Sequence, residues 1–324
     1  MEKMKSYKSR LDAALGNRFL RQAMDNFAVA YRTSRENAFT GIDVDALVAE
    51  VADIKARAVQ NNKTLVAEFI SNARDKGIHV HVAQTAEDAN RIIGEIAQKT
   101  GSKRIAKSKS MTAEEIHLNK WLENLGLEVT ETDLGEWIVQ LRKEGPSHMV
   151  MPAIHLSRHQ VSDLFSDVTG EKQDSEIERL VKVARKELRE KFVNADMGIT
   201  GANYVLADSG VIGICTNEGN ARLVTTLPRT HIVLAGIDKL LPGLKDALTV
   251  NRVLPKNATG QAITSYVTWI SGPSECRIAH TGKREMHVVL LDNGRSKIAA
   301  DPVFSQILHC VRCGACANVC PVYR

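Results

Sequence analysis

Four of the six cysteines in this 324-residue chain fall within its last sixteen residues, HCVRCGACANVCPVYR, at Cys310, Cys313, Cys316 and Cys320, with Pro321 behind them. The spacing C-x2-C-x2-C-x3-C-P is that of iron–sulfur ligation. Three closely spaced thiolates close around three corners of a cubane, and the fourth is aimed at a second cluster. A zinc ion normally draws its cysteines in pairs from two separated knuckles, so structural zinc and free thiols are the lesser readings. Gly314, Ala315 and Ala317 inside the run leave backbone N–H groups free to approach the sulfurs, where hydrogen bonds help to set a reduction potential.

A second concentration of chemistry lies in the glycine-rich block between Met197 and Ala235. Gly198, Gly201, Gly210, Gly213 and Gly219 would let backbone pass close to an anionic or planar ligand, with Asn203, Asp208, Glu218 and Asn220 as polar groups at strand ends. The same glycines would equally serve tight hairpins, and no G-x-G-x-x-G or G-x-x-x-x-G-K-[ST] string decides between the two. The candidate pocket is accordingly Gly201, Asn203, Glu218, Gly219 and Asn220. His148, His155 and His159 lack an acidic partner at H-E-x-x-H spacing and read as surface or satisfied histidines. Lys103, Arg104, Lys107 and Lys109 read as a solvated strand end rather than a phosphate site.

Composition sets the bounds. Hydrophobic residues at 44% and charged ones at 25% are those of an ordinary globular protein. The net charge of +5 arises from 43 basic and 38 acidic residues interspersed along the chain, a pattern of solvated surface that argues against nucleic-acid binding. Apolar runs such as His231–Ile237 are far shorter than the roughly 20 residues of a membrane span, and MEKMKSYKSR has no signal-like apolar stretch. A cytoplasmic protein is expected. Cys215 and Cys276 stand far apart and read as small buried hydrophobes rather than a disulfide.

The elements that must position these groups follow from periodicity. Residues 1–76 read as helical, with an apolar stripe at Leu11, Leu15, Phe19 and Phe27, a helix capped by Asp43, and another that Gly77 stops. From Ile78 short strands alternate with helices: a strand at 78–82, a helix capped by Thr85, strands at 104–106 and 127–130, and between these two strands a helix with a Thr112/Glu115 capping box. A buried strand at His148–Met151 precedes a helical hairpin over 157–193, whose inner face would be Ile177, Leu180, Val181, Ala184 and Leu188. A strand pair, Ser265–Ile270 with Met286–Leu291, then leads through a short helix at 302–308 to Cys310. Alternation of this kind predicts an α/β architecture with a parallel sheet over 77–300, and 301–324 as the start of a cluster-binding segment.

Seven blocks in order, KSKSMTAEEIHLN (107–119), ETDLGEWIVQL (131–141), PSHMVMPAIH (146–155), GITGANY (198–204), TNEGNARLVTTLP (216–228), HVVLLDNGRS (287–296) and RCGACANVCPVYR (312–324), resemble the lactate utilization protein B family. That family joins a LUD domain to a ferredoxin-type segment with two [4Fe-4S] clusters. The resemblance implies a NagB/RpiA/CoA-transferase-like α/β fold. It also implies cytoplasmic oxidation of L-lactate to pyruvate together with a cysteine-rich subunit and a second LUD-domain subunit, the chain not acting alone. Cys310, Cys313 and Cys316 would then ligate one cluster and Cys320 would reach the second. Glu218, within Asn217–Asn220, is similar to the catalytic glutamate loop of related CoA transferases. An acyl or nucleotide transferase and a docking scaffold are therefore the alternative functions. Two departures stand out: the Ser274–Lys283 loop is less acidic than expected, and the family continues past Arg324 through a second cysteine group. For the chain as given, the expectation is at most one labile three-cysteine cluster and a poorly ordered last ten or so residues.

Overall fold

The computed structural model describes residues 2–275 and 284–322, with the side chains of 2–5 left aside. Cys276, most of the Ser274–Lys283 loop and the last two residues lie outside the described residues. Four helices open the chain: α1 (Glu2–Gly16), α2 (Arg18–Ala38), α3 (Val44–Gln60) and α4 (Asn62–Asp75). Asp43 caps α3, its carboxylate accepting the Ala46 N–H at 3.0 Å. The apolar stripe expected at the start does not bury: Leu11, Leu15 and Phe19 are exposed, and α2 buries only Met24, Ala28 and Tyr31. The later helices do real packing, since Leu47, Val51 and Ile54 of α3 and Leu65, Phe69 and Ala73 of α4 share one core with sheet residues Val80, Val233 and Val288.

That sheet has six parallel strands, β1 (His79–Ala83), β2 (Arg104–Lys107), β3 (Glu128–Glu131), β4 (Met197–Thr200), β7 (Thr230–Gly236) and β10 (Glu285–Leu291), in the order β1-β10-β7-β4-β2-β3. β7 is buried at every residue, as a strand covered on both faces must be. Helices α5 (Ala86–Lys99), α6 (Met111–Glu115), α7 (Leu118–Asn124), α8 (Leu134–Leu141), α9 (Arg158–Thr169), α10 (Ile177–Val193) and α11 (Asn220–Thr226) connect the strands. Thr85 and Asp88 close a reciprocal capping box on α5. The expected cap at Thr112 is instead Ser110, whose hydroxyl accepts the Ala113 N–H, and the helix breaks at His117, where φ is +51°. On the α9–α10 hairpin, Leu180, Ala184, Leu188 and Phe192 face inward, while Ile177 and Val181 stay exposed.

Two expected strands come out differently. His148–Met151 forms no strand, because the His148 ring accepts the N–H groups of Val150 and Met151 at 3.1 and 3.3 Å and so removes them from any ladder. The pair Ser265–Ile270 and Met286–Leu291 is split between sheets: β9 (Tyr266–Ile270) runs antiparallel to β6 (Val211–Thr216), in a second sheet ordered β8-β5-β6-β9 with β5 (Tyr204–Leu206) and β8 (Leu240–Leu241). After β8 comes α12 (Leu244–Thr259), and after β10 come α13 (Arg295–Ala299), a 3-10 turn at Phe304–His309 and α14 (Ala315–Asn318). The last described residues are seated rather than loose up to Asn318, which is fully buried and donates to the Ala258 carbonyl at 3.0 Å.

The buried histidine of β7 gives the fold a pH dependence. His231 faces the Thr200 hydroxyl at 2.9 Å. Burial, followed by the charges of Arg284 and His287, pushes its imidazole down to about 3. An unfolded imidazole takes up a proton near pH 6.5. The folded one resists, so this stabilisation is full above that pH and is lost as pH falls through the window down to about 3. We expect about 2 kcal/mol of stability to go between pH 7 and pH 5 on this account. Urea midpoints at the two pH values should show it in the wild type and show a smaller loss in His231→Gln; equal losses would rule the histidine out as the cause.

Candidate functional site

In an open parallel sheet, ligands bind outside the carboxyl ends of the strands, where neighbouring connections run in opposite directions. Here the chain steps from β2 outward to β3, returns to β4 on the other side of β2, and then moves away through β7 and β10. The loops at that reversal enclose a cavity of about 390 Å³. Ser108, Lys109 and Ser110 follow β2, Asp133 follows β3, and Gly201 and Asn203 follow β4. Glu218 and Asn220 reach in from the end of β6 and the start of α11, and Lys239 from beyond β7. Val311, Arg312 and Cys313 complete the wall, so the cysteine segment borders the same space.

The expected pocket residues therefore come together, with one exception. Gly201, Asn203, Glu218 and Asn220 line the cavity, and Gly219 does not. The Asn203 side-chain oxygen accepts the Cys215 N–H at 2.8 Å. Burial, with Asp133 nearby, raises the proton affinity of Glu218. Cys215 is half-buried, its thiol pushed up to about 11 by burial. Not every glycine of the block serves the cavity: a Cβ on Gly198 would stand 2.1 Å from the Val224 carbonyl oxygen, so that position is fixed by α11 packing on β4.

The basic cluster is a solvated strand end at Lys103 and Arg104, which are exposed, but not at Lys107 and Lys109. Lys107 is 0% exposed, its ammonium 2.7 Å from Glu131 and 3.3 Å from Glu114. Asn119 donates to Glu131 at 2.6 Å. Lys109 approaches Glu136 and the Val150 carbonyl, each at 3.4 Å, and Arg104 pairs with Asp196. Of the three histidines considered as ligands, His155 is held by Ser147 at 2.7 Å and Glu144 at 3.0 Å, which agrees with a satisfied side chain.

A second ionic group joins the sheet to the cysteine segment. Arg295 contacts Asp238 at 2.5 Å and Glu115 at 2.8 Å, and Arg312 contacts the same two carboxylates at 3.7 and 3.4 Å. Burial opposes ionisation of Asp238, but Lys239, Arg295, Arg312 and Lys55 together outweigh it and hold the carboxyl down at about 2. Lys55 of α3 donates to the Asp238 carbonyl. Lys55, Lys239 and Arg312 went unnoticed in the sequence. The available signal was Asp238–Lys239 directly after the apolar run Ile232–Ile237, at the strand end where α/β proteins place ligands.

The cysteine loop itself is turned by two left-handed residues, Arg312 at φ +56° and Gly314 at φ +82°. Gly314 has no room for a side chain, since a Cβ would meet Val150 at 2.8 Å and Met149 at 3.1 Å. The Arg312 N–H donates to the Cys310 sulfur at 3.3 Å. Burial raises the Cys313 thiol, opposed by an N–H bond from Ala315, while Cys310 and Cys316 are near enough to add to the rise. Cys310, Cys313, Cys316 and Cys320 are all free thiols. Among the described residues no three His, Cys, Asp or Glu side chains converge on one ion. A cubane makes no such demand, because its thiolates sit on different irons. Free thiols on a glycine-turned loop, with backbone N–H groups directed at sulfur, fit an iron–sulfur cluster.

Comparison with known proteins places residues 66–291 in a match to the LUD domain. The chain is 41% identical over 323 residues to "Lactate utilization protein B" of Oceanobacillus iheyensis, covering 98% of this chain and 66% of that protein. It is 40% identical over 274 residues to "Uncharacterized electron transport protein YkgF" of Escherichia coli, covering 84% of this chain and 57% of that one. The chain thus spans about two thirds or less of the length of these relatives. Among solved structures, a DUF162 family protein from Deinococcus radiodurans aligns at a TM-score of 0.39 and 16% identity, over 71% of this chain and 98% of that one. No helix among the described residues is long and apolar enough to cross a membrane.

Proposed function

The chain belongs to the LUD-domain family, and from that premise we propose that it is the iron–sulfur electron-transfer subunit of a cytoplasmic complex oxidising L-lactate to pyruvate. The observation that carries this reading is the cysteine loop: four free thiols at C-x2-C-x2-C-x3-C-P spacing, seated on the LUD domain. Relatives that align along nearly the whole chain bear the name lactate utilization protein B, and another is named for electron transport. Cys310, Cys313 and Cys316 would hold one [4Fe-4S] cluster, and Cys320 would serve a second; such a group, when bound, carries single electrons. The chain's own part is ligation, burial and hydrogen bonding. The Arg312 and Ala315 N–H groups steady the sulfurs of Cys310 and Cys313.

The cavity under the cysteine loop is where we place a small anionic ligand, with Asn203, Glu218 and Asn220 on its walls. The partners are a cysteine-rich subunit and a second LUD-domain subunit. No flavin or nicotinamide glycine fingerprint is present to accept a hydride, so the isolated chain should not reduce a dye with lactate. Activity should appear when the two partner subunits are added. Lactate-dependent dye reduction by the isolated, reconstituted chain, or none by the three subunits together, would count against this assignment.

A further inference from the structure

Two buried lysines behind the cysteine loop have no carboxylate to themselves. The ion group at the ends of β7 and β10 contains four cations, Lys55, Lys239, Arg295 and Arg312, and two carboxylates, Asp238 and Glu115. Both carboxylates are engaged by the two arginines. Lys55, 4% exposed, donates only to a backbone carbonyl. Lys239, 9% exposed, has no hydrogen bond or ion pair among the described residues. Asp238 attracts both ammoniums, but its carboxylate oxygens are taken by the two arginines. A buried ammonium that shares its counter-ion in this way leaves net positive charge, so the arrangement calls for a further anion next to it.

The cysteine loop is the neighbour that could supply one. Val311 packs in the small void that Lys55 and Lys239 line together. Lys239 also faces the cavity that Cys313 borders. The Cys310 sulfur, as a thiolate, acts favourably on the charge of both lysines. A cubane with the three thiolates named here carries roughly one negative charge when oxidised and two when reduced. Two unmatched cations answer that charge.

We propose that Lys55 and Lys239 are the counter-charge of the cluster held by Cys310, Cys313 and Cys316, so that one lysine of the N-terminal helices and one of the LUD domain, rather than the cysteine segment alone, set its reduction potential. The inference rests on the iron–sulfur reading given above. Fixed cations in a poorly screened interior favour the state with the extra electron, and removing one should make the cluster harder to reduce.

The test uses the full chain, reconstituted anaerobically, as wild type, Lys55→Met, Lys239→Met and the two Lys→Arg variants. Iron content and an EPR-monitored redox titration are the readouts. Each methionine variant should lower the reduced-to-oxidised ratio at fixed potential about tenfold, a shift of about 59 mV to the negative for one electron. The arginine variants should stay with the wild type, because they keep the charge. Without iron, the methionine variants should melt above the wild type, since they remove an unbalanced buried charge; a purely structural lysine would give the reverse. Methionine variants that fold but load no iron, beside arginine variants that load fully, carry the same conclusion. A potential that stays put in the methionine variants, or moves equally in the arginine variants, overturns it, as does iron lost from both. If the wild type itself takes up no iron, the iron–sulfur reading falls and this inference with it. Normal iron with an unmoved potential removes the inference alone.

Discussion

Lys107→Met should cost about 3–5 kcal/mol of stability, the cost of breaking a buried pair from one side. Lys107 is 0% exposed and sits 2.7 Å from Glu131, whose side chain is 4% exposed. Removing the ammonium leaves that carboxylate buried with only the Asn119 amide as a donor. Glu131 ends β3 and Lys107 ends β2, so the loops that carry Asp133 and Ser108–Ser110 into the cavity would lose their anchor together. Urea unfolding at pH 7 measures the loss. The double variant Lys107→Met, Glu131→Leu should recover most of it, because replacing both charges by apolar groups removes the orphan. A single variant within about 1 kcal/mol of the wild type would mean that the pair is not buried as described.

Cys313→Ala should have the second large effect, this time on iron rather than on the fold. Cys313 and Cys320 are the half-buried members of the run, and Cys313 packs against the main core while Cys310 and Cys316 are exposed. Cys313 accepts the Ala315 N–H and is near the sulfurs of Cys310 and Cys316. Deleting it removes the middle of three cluster corners, so iron should fall from about four per chain to below about one. Cys215→Ala should keep the wild-type iron, because Cys215 bonds to Tyr204 and Asn251 within the domain. Iron retained in Cys313→Ala would take that residue out of the ligand set.

Much of this was legible in the sequence where the signal is local. The cysteine spacing, the strand–helix alternation and the caps at Asp43 and Thr85 are short-range patterns, and the six-stranded parallel sheet answers to them. Pairing between distant segments was not legible. The second sheet is made of strands as short as Leu240–Leu241, and β9 finds its partner in β6 rather than in β10. Lys107 looked solvated because its chain neighbours are basic, while its carboxylate partners arrive from α6 and β3. His148–Met151 has the composition of a strand, but the His148 ring takes up its backbone donors. The pocket was half-legible: the glycine-rich block named Gly201, Asn203, Glu218 and Asn220, but Lys239 and the cysteine segment on the opposite wall are brought there only by the fold.

The most direct test of the iron–sulfur assignment is iron and sulfide analysis of the anaerobically reconstituted chain after desalting, with EPR of the dithionite-reduced sample beside it. Up to about four irons and a matching amount of sulfide per chain, kept through anaerobic desalting but lost in air, with a signal that appears on reduction and is absent from Cys313→Ala, is the result this account predicts. Zinc in place of iron, or no metal with all the thiols of the run still free to titrate, would contradict it.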